Sequence, residues 1–293
     1  NELKHYCQTS QKSILCGWMY ITYTFFLALG LLLTFPYYLA RFQKYWPTLP
    51  DRFGFLKIPQ LRKSIWVHAV SVGEVKAVER LLERLRNQFP GRPIVVTTTT
   101  PAGQQLARQR SDVIDHTFYF PIDLPFCVRR TLDRISPQMV IIAETEIWPN
   151  FLRACRRKQI PVVMINGRIS DRSFARYRIV RRWLSRVFSD YTMIGMQSDM
   201  DRRRIEEIGA DPSKVTVLGN LKYDMVNTSR PVEPTLARVL ETWNSVWIAA
   251  STMPGEGELV LDAFSRLRRN RADLKLVLAP RHVDRCEAVD LTV

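Results

Sequence analysis

The stretch "HAVSVGEVKAVERL" (His68–Leu81) decides how the rest of the chain is read. It joins a strand-like run, "SIWVHAV" (64–70), to a helix-like one through Ser71-Val72-Gly73-Glu74. Beyond that corner, Val75, Val78, Leu81, Leu82, Leu85 and Phe89 recur at helical spacing, with Glu79, Arg80, Glu83, Arg84 and Arg86 between them. The pattern predicts an amphipathic helix over 74–89 that packs on a sheet. Glu74 at the corner has two readings. In a first helical turn a carboxylate complements the macrodipole, and Ser71 stands at capping-box spacing from it. At the mouth of a sheet the same carboxylate can act as a base. Chain logic alone leaves both open.

Outward from this corner the alternation continues. "PIVVTTT" (93–99), "HTFYF" (116–120), "MVIIAE" (139–144), "PVVMING" (161–167) and "YTMIGM" (191–196) are short apolar runs suited to buried parallel strands. Helical stretches separate them, so the fold class is α/β, with a doubly wound domain over 41–226. "NTSRPVEPT" (227–235) reads as a linker. "VWIAAST" (246–252), a helix over 255–269 and "LKLVLAP" (274–280) begin a second cycle over 236–293, which two strands alone leave incomplete. The chain lacks an initiator Met and stops at "AVDLTV", so it is expected to be incomplete at both ends.

Residues 13–40 contain no charged residue, and the apolar heart "ILCGWMYITYTFFLALGLLLTF" (14–35) is long enough for a membrane helix. Trp18, Tyr20 and Tyr23 near one end, and Tyr37, Tyr38 and Trp46 beyond the other, read as interface aromatics. Arg41, Lys44, Arg52, Lys57, Arg62 and Lys63 follow the segment, whereas only Lys4 and Lys12 precede it. The positive-inside rule then places the bulk of the protein in the cytoplasm. A net charge of +15 over 293 residues calls for an anionic partner. Five scattered cysteines without a CxxC pair argue against a disulfide framework or a zinc site.

Ligands of open α/β sheets bind beyond the carboxyl ends of the strands. This selects Ser71 to Glu74, Thr97 to Pro101, Glu144 to Glu146, Asn166 to Arg168, Gly219 to Lys222, Ser251-Thr252 and Pro280-Arg281-His282. Glu144 directly follows an apolar strand, where a carboxylate is costly unless partnered. Glu146 reads as the start of the next helix, and Lys222 as either a functional or a solvated lysine. His68, inside a strand, reads as a hydrogen-bonded core histidine, and Arg281 suits a phosphate. "GRISDRSFARYRIVRRWLSR" (167–186) reads as one amphipathic helix with a cationic face, directed at anionic lipid. No nucleic-acid recognition motif is present, nor Walker A, GxGxxG or GxSxG.

"HAVSVGE", "TTTTPAG", "FYFPID", "ETEIWPN", "INGRISDRS", "GNLKYD", "ASTMPGE" and "APRH", in this order, closely resemble the bacterial 3-deoxy-D-manno-octulosonic acid (Kdo) transferases of lipopolysaccharide assembly. The resemblance covers about residues 41–285. It implies a GT-B glycosyltransferase of two Rossmann-like domains behind an N-terminal transmembrane helix. Such an enzyme moves Kdo from CMP-Kdo to a lipid A precursor at the cytoplasmic face of the inner membrane, with inversion and without metal or other cofactor. By the same resemblance Glu74 is the general base, Glu144 and Lys222 stabilise the transition state, and Pro280 and Arg281 contact CMP. Ser71, Gly73, Arg168 and Arg172 are expected to bind the acceptor, the arginines meeting its phosphates. Two departures stand out. Ala250 and Met253 replace the usual Gly and His of "ASTMPGE", and Val283 to Cys286 replace the usual Pro-Glu-Arg-Phe. Another GT-B sugar transferase, a nucleotide-sugar epimerase and an inactive membrane-bound fragment are the competing readings.

Overall fold

The structure is a computed structural model that describes residues 2–41, 46–225 and 233–281. Most of the linker expected over 227–235, and His282 with the residues after it, lie outside these. The chain divides into two compact units, Asn1–Val226 and Asn227–Val293.

A long helix, α1 (Glu2–Ala40), opens the first unit, and a 3-10 turn (Trp46–Thr48) with the short α2 (Leu49–Arg52) follows. Then strand and helix alternate: β1 (Ser64–His68), α3 (Val72–Gln88), β2 (Ile94–Thr98), α4 (Pro101–Arg108), β3 (His116–Tyr119), α5 (Pro125–Ile135) and β4 (Pro137–Ala143). The series continues with α6 (Pro149–Arg157), β5 (Val162–Gly167), α7 (Asp171–Ile179), α8 (Arg181–Phe188), β6 (Met193–Met196), α9 (Asp199–Glu207) and β7 (Val215–Val217). A 3-10 turn over Leu221–Met225 closes the unit.

The seven strands form one parallel sheet in the order β3-β2-β1-β4-β5-β6-β7. β1 and β2 are buried at every position, as expected of strands covered on both faces. One core, around Trp66, Phe120, Leu132, Ile142, Phe151 and Phe188, lies under α5, α6, α8 and α9. The other, around Val67, Val75, Val78, Leu82, Val96 and Ala107, lies under α3 and α4. Helix starts follow local chemistry. Ser71, Thr100, Ser170 and Ser198 cap through their side chains, and Pro101, Pro125 and Pro149 occupy positions where a missing N–H costs nothing.

The chain winds from β1 outward to β3, then crosses back to lay β4 against the other side of β1. The loops after β1 and β4 therefore diverge. The crevice between them is the topological switch point, where doubly wound sheets bind ligands.

The arginine-rich stretch departs from expectation. It is two helices, α7 and α8, broken at Val180, and Ile179 and Val180 are exposed. A continuous helix would carry the buried stripe from Tyr177 through Arg181 to Leu184, placing a guanidinium against the core. Two consecutive β-branched residues are also weak helix formers.

α1 carries a stretch, Gly17–Tyr37, long and apolar enough to cross a membrane by length and composition. Its first turns are docked on the domain. Tyr20 is buried, its hydroxyl donating to Asp190 Oδ2 at 3.0 Å with the Arg153 guanidinium over its ring. Tyr23 packs against Trp183. Asn150 Nδ2 donates to Thr24 Oγ1 at 2.9 Å. Tyr20 and Tyr23 thus hold domain partners rather than forming part of an interface belt.

In the second unit, α10 (Pro234–Glu241) precedes β8 (Ser245–Thr252), α11 (Glu256–Arg268) and β9 (Leu274–Pro280). β8 and β9 pair in parallel, and the Arg281 N–H donates to Thr252 O, joining the two strand ends.

Candidate active site

The switch point is built from the Val70–Glu74 corner. Ser71 is the N-cap of α3, its hydroxyl accepting from the Glu74 N–H at 3.4 Å. The same hydroxyl donates to Glu74 Oε1 at 2.9 Å, and the Val70 N–H donates to Oε2 at 2.7 Å. Both carboxylate oxygens are therefore held, and the side chain is only 7% exposed. A helix N-terminus should depress this carboxyl. Burial, reinforced by the Glu144 charge, acts the other way and raises the Glu74 carboxyl against the Val70 and Ser71 donors.

The next strand's loop supports the corner. Val70 O accepts from the N–H groups of Thr99 and Thr100 and from the Thr100 hydroxyl. α4 starts so close that a Cβ at Gly103 would stand 2.9 Å from Thr100 Oγ1 and 3.4 Å from Val70 O. Gly103 is thus a residue that sequence reading passed over, although "PAG" at a helix start offered a signal. Gly73, by contrast, is the second residue of α3, and a Cβ there meets nothing closer than Ser71 Oγ at 3.8 Å. The corner does not require glycine at 73.

Across the crevice, Glu144 adopts a left-handed backbone with φ +62, and its N–H donates to Ile165 O. That turn ends β4 and places Glu144 and Glu146 near Glu74. Glu146 does not start a helix, because α6 begins only at Pro149. Burial, with the charges of Glu74 and Glu144, pushes the Glu146 carboxyl up to about 7. Glu146 is therefore a member of the site that its reading as a helix start had set aside.

Arg168 follows β5. Thr145 ties its backbone to the Glu144–Glu146 loop, donating to Arg168 O at 2.7 Å and accepting from Arg168 N at 2.8 Å. The Arg168 side chain is exposed at this edge, and Arg172 is exposed in the first turn of α7.

Lys222 is placed by a relay of amides. Buried Asn166, itself left-handed at φ +57, accepts the Leu221 N–H on Oδ1 at 3.1 Å, and its backbone oxygen accepts from Gln197 Nε2. Asn220 donates to Gln197 Oε1 and accepts the Lys222 N–H. The 3-10 turn that carries Lys222 packs on α3, the helix that carries Glu74. Asn166→Ala removes the acceptor and puts a side chain ill-suited to positive φ in its place. Thermal melts are expected to show a loss of about 1–3 kcal/mol; an unchanged Tm would refute this role.

His68 is a core residue. It is fully buried, its Nδ1 meets Thr97, and its ring stacks on Phe120 at 4.0 Å. Burial drives its pKa down to about 3, so it is neutral. Ser71, Gly73, Glu74, Glu144, Arg168 and Lys222 thus share the carboxyl edge of one sheet. Pro280 and Arg281 stand at the carboxyl end of β9 in the second unit. Among the described residues, no group of three or more His, Cys, Asp or Glu is placed to hold a metal ion.

Comparison with known proteins bears on this geometry. The family model for 3-deoxy-D-manno-octulosonic-acid transferase (kdotransferase) matches residues 47–225. The 3-deoxy-D-manno-octulosonic acid transferase of Haemophilus influenzae is 33% identical over 252 residues, covering 84% of this chain and 58% of that protein. The enzyme of the same name from Chlamydophila psittaci is 30% identical over 253 residues, with the same coverage of 84% and 58%. The chain therefore spans somewhat over half the length of these relatives. In fold it is similar to the UDP-GlcNAc 2-epimerase of Neisseria meningitidis, with a TM-score of 0.52, 12% identity, and coverage of 78% of this chain and 67% of that one. That likeness concerns the GT-B-like α/β architecture alone. With the family model matched from the turn after α1 to the end of the first unit, the chain belongs to the Kdo transferase family.

Proposed function

We propose that this chain is the acceptor-side part of an inverting glycosyltransferase that moves Kdo from CMP-Kdo to a lipid A precursor in lipopolysaccharide assembly. The observation that carries this reading is the Glu74 carboxylate, buried at the switch point with its pKa raised by burial. An inverting transfer needs a group to take the proton of the attacking sugar hydroxyl, and a raised carboxyl is better matched to that task near neutral pH. Glu144 and the Lys222 turn flank the position and stabilise the transition state. Arg168 and Arg172 face the phosphates of the acceptor, with Ser71 and Gly73 at the same corner. Residues 236–293 begin the domain that binds CMP-Kdo, and Pro280 and Arg281 receive its CMP, the guanidinium meeting phosphate. α1 anchors the protein to the inner membrane, with the catalytic part in the cytoplasm.

The test is CMP release by the natural full-length protein given CMP-Kdo and lipid IVA. Turnover is expected with that pair and not with UDP-GlcNAc. Turnover of UDP-GlcNAc alone would favour the epimerase reading instead, and no turnover of either would refute the transferase reading. Turnover by the full-length protein but not by residues 1–293 alone would support the inactive-fragment reading for this chain.

A further inference from the structure

The path of α1 bears on how the protein meets a membrane. From Tyr20 to Thr24 the helix runs antiparallel to α6. Tyr20 sits by Arg153, and the carboxylate it touches, Asp190, pairs with Arg156 near the carboxyl end of α6; Thr24 sits by Asn150 at the opposite end. The start of α6 lies at the carboxyl edge of the sheet, because it follows β4. Beyond Thr24, α1 therefore projects past the edge that carries Glu74 and Glu144.

The chain returns to that edge at once. The Ile122 N–H donates to Arg52 O, Arg52 Nη2 donates to Thr99 O, and Asp51 accepts the Tyr119 N–H. Thr24 is tied through Asn150 to Asp123, the neighbour of Ile122. The two ends of the projecting segment are thus pinned to the same stretch after β3. The helix from Thr24 to Ala40 is about 24 Å long, and a chain from Ala40 to Trp46 reaches at most about 22 Å. Hydrocarbon about 30 Å thick cannot be crossed and left behind within those lengths.

The exposed surface fits insertion from one side. Phe25, Phe26, Leu32, Leu33 and Phe35 of the projecting segment are between 57% and 71% exposed. Arg41 lies over the Tyr37 ring near its end. The exposed pair Ile179–Val180 precedes Trp183, which packs on Tyr23, and carries Arg176, Arg178, Arg181 and Arg182 around it. Apolar tips ringed by arginine match hydrocarbon beneath anionic headgroups.

We propose that α1 enters one leaflet of an anionic bilayer from the side of the carboxyl edge and returns on that side without crossing. This rests on the membrane-bound reading above and adds an orientation to it: the Glu74–Glu144 crevice faces the lipid surface, where an acceptor's headgroup stands.

The test uses the natural full-length protein with an N-terminal epitope, expressed in a Gram-negative host. It is expected to sediment with membranes, and protease is expected to remove the epitope from inverted vesicles but not from intact spheroplasts. Removal from intact spheroplasts shows that α1 crosses, and overturns the proposal while sparing the membrane-bound reading. Recovery in the soluble fraction overturns both. Replacing Leu32→Glu together with Leu33→Glu, both exposed, is expected to release most of the protein from phosphatidylethanolamine–phosphatidylglycerol vesicles with Tm unchanged. Undiminished sedimentation of that variant means the projecting segment is not the contact, and overturns the proposal as well.

Discussion

Glu74→Gln in the natural full-length protein is expected to lower Kdo transfer by about 10²–10⁴-fold, the usual worth of a general base. Its effect on stability should be small. Glutamine keeps the shape and can still accept from one of the two donors that hold the carboxylate, Ser71 hydroxyl and Val70 N–H. The lost hydrogen bond costs about 1 kcal/mol, and removal of a buried charge offsets part of it. A capping role alone predicts the reverse, a lowered Tm with turnover intact, so rate and melt measured on one preparation separate the two. The pH profile adds a second check. A base must be ionised, so kcat/KM should rise with pH, and burial places that rise above the ordinary carboxylate range. A profile flat from pH 4 upward would rule Glu74 out as the base.

The strand runs were legible because buried parallel strands leave a plain signal. "IVVTT" and "MVIIA" admit few other readings, and the corners after the strands are where the structure gathers the candidate residues. Whether Glu74 only caps α3 is not legible from spacing, because the answer depends on its burial. Ser71 spacing predicts the cap equally well whether the carboxylate faces water or the crevice. Glu146 was missed for a related reason. Its raised pKa comes first from burial and then from Glu74, which reaches it only through the strand order. The Asn166–Gln197–Asn220 relay was equally invisible, since its members come from β5 and from the separate loops after β6 and β7. The break at Val180 lacked a proline or glycine to announce it. α1 is the clearest case. Hydropathy gave the helix, but Tyr20 and Tyr23 carry no mark of the buried carboxylates they meet.

One of those carboxylates should be the most damaging to remove. Asp123 is 1% exposed, and α6 has no capping side chain of its own at Trp148. Asp123 supplies the cap from afar, accepting the Asn150 N–H on Oδ2 at 3.0 Å and the Phe151 N–H on Oδ1 at 2.7 Å. Its backbone oxygen accepts from Asn150 Nδ2, and the Tyr23 hydroxyl bonds to its carboxyl. Asp123→Ala strands two buried N–H groups and removes the carboxyl that the Tyr23 hydroxyl of α1 meets. At about 1–3 kcal/mol for each stranded group, the expected loss is about 3–5 kcal/mol, or roughly 10 °C in Tm. Protease should also cut sooner between residues 24 and 46. The pH dependence has a definite sign. Burial raises the Asp123 carboxyl to about 7, above its unfolded value, so the folded protein binds the extra proton. Its contribution is full below about pH 4 and is lost as pH rises through about 7. Glu146 acts in the same direction. The wild-type protein should therefore melt higher at pH 5 than at pH 8, and Asp123→Ala should narrow that gap. An equal or wider gap in the variant would show that Asp123 is ionised throughout, held by its helix N-terminus against the cost of burial.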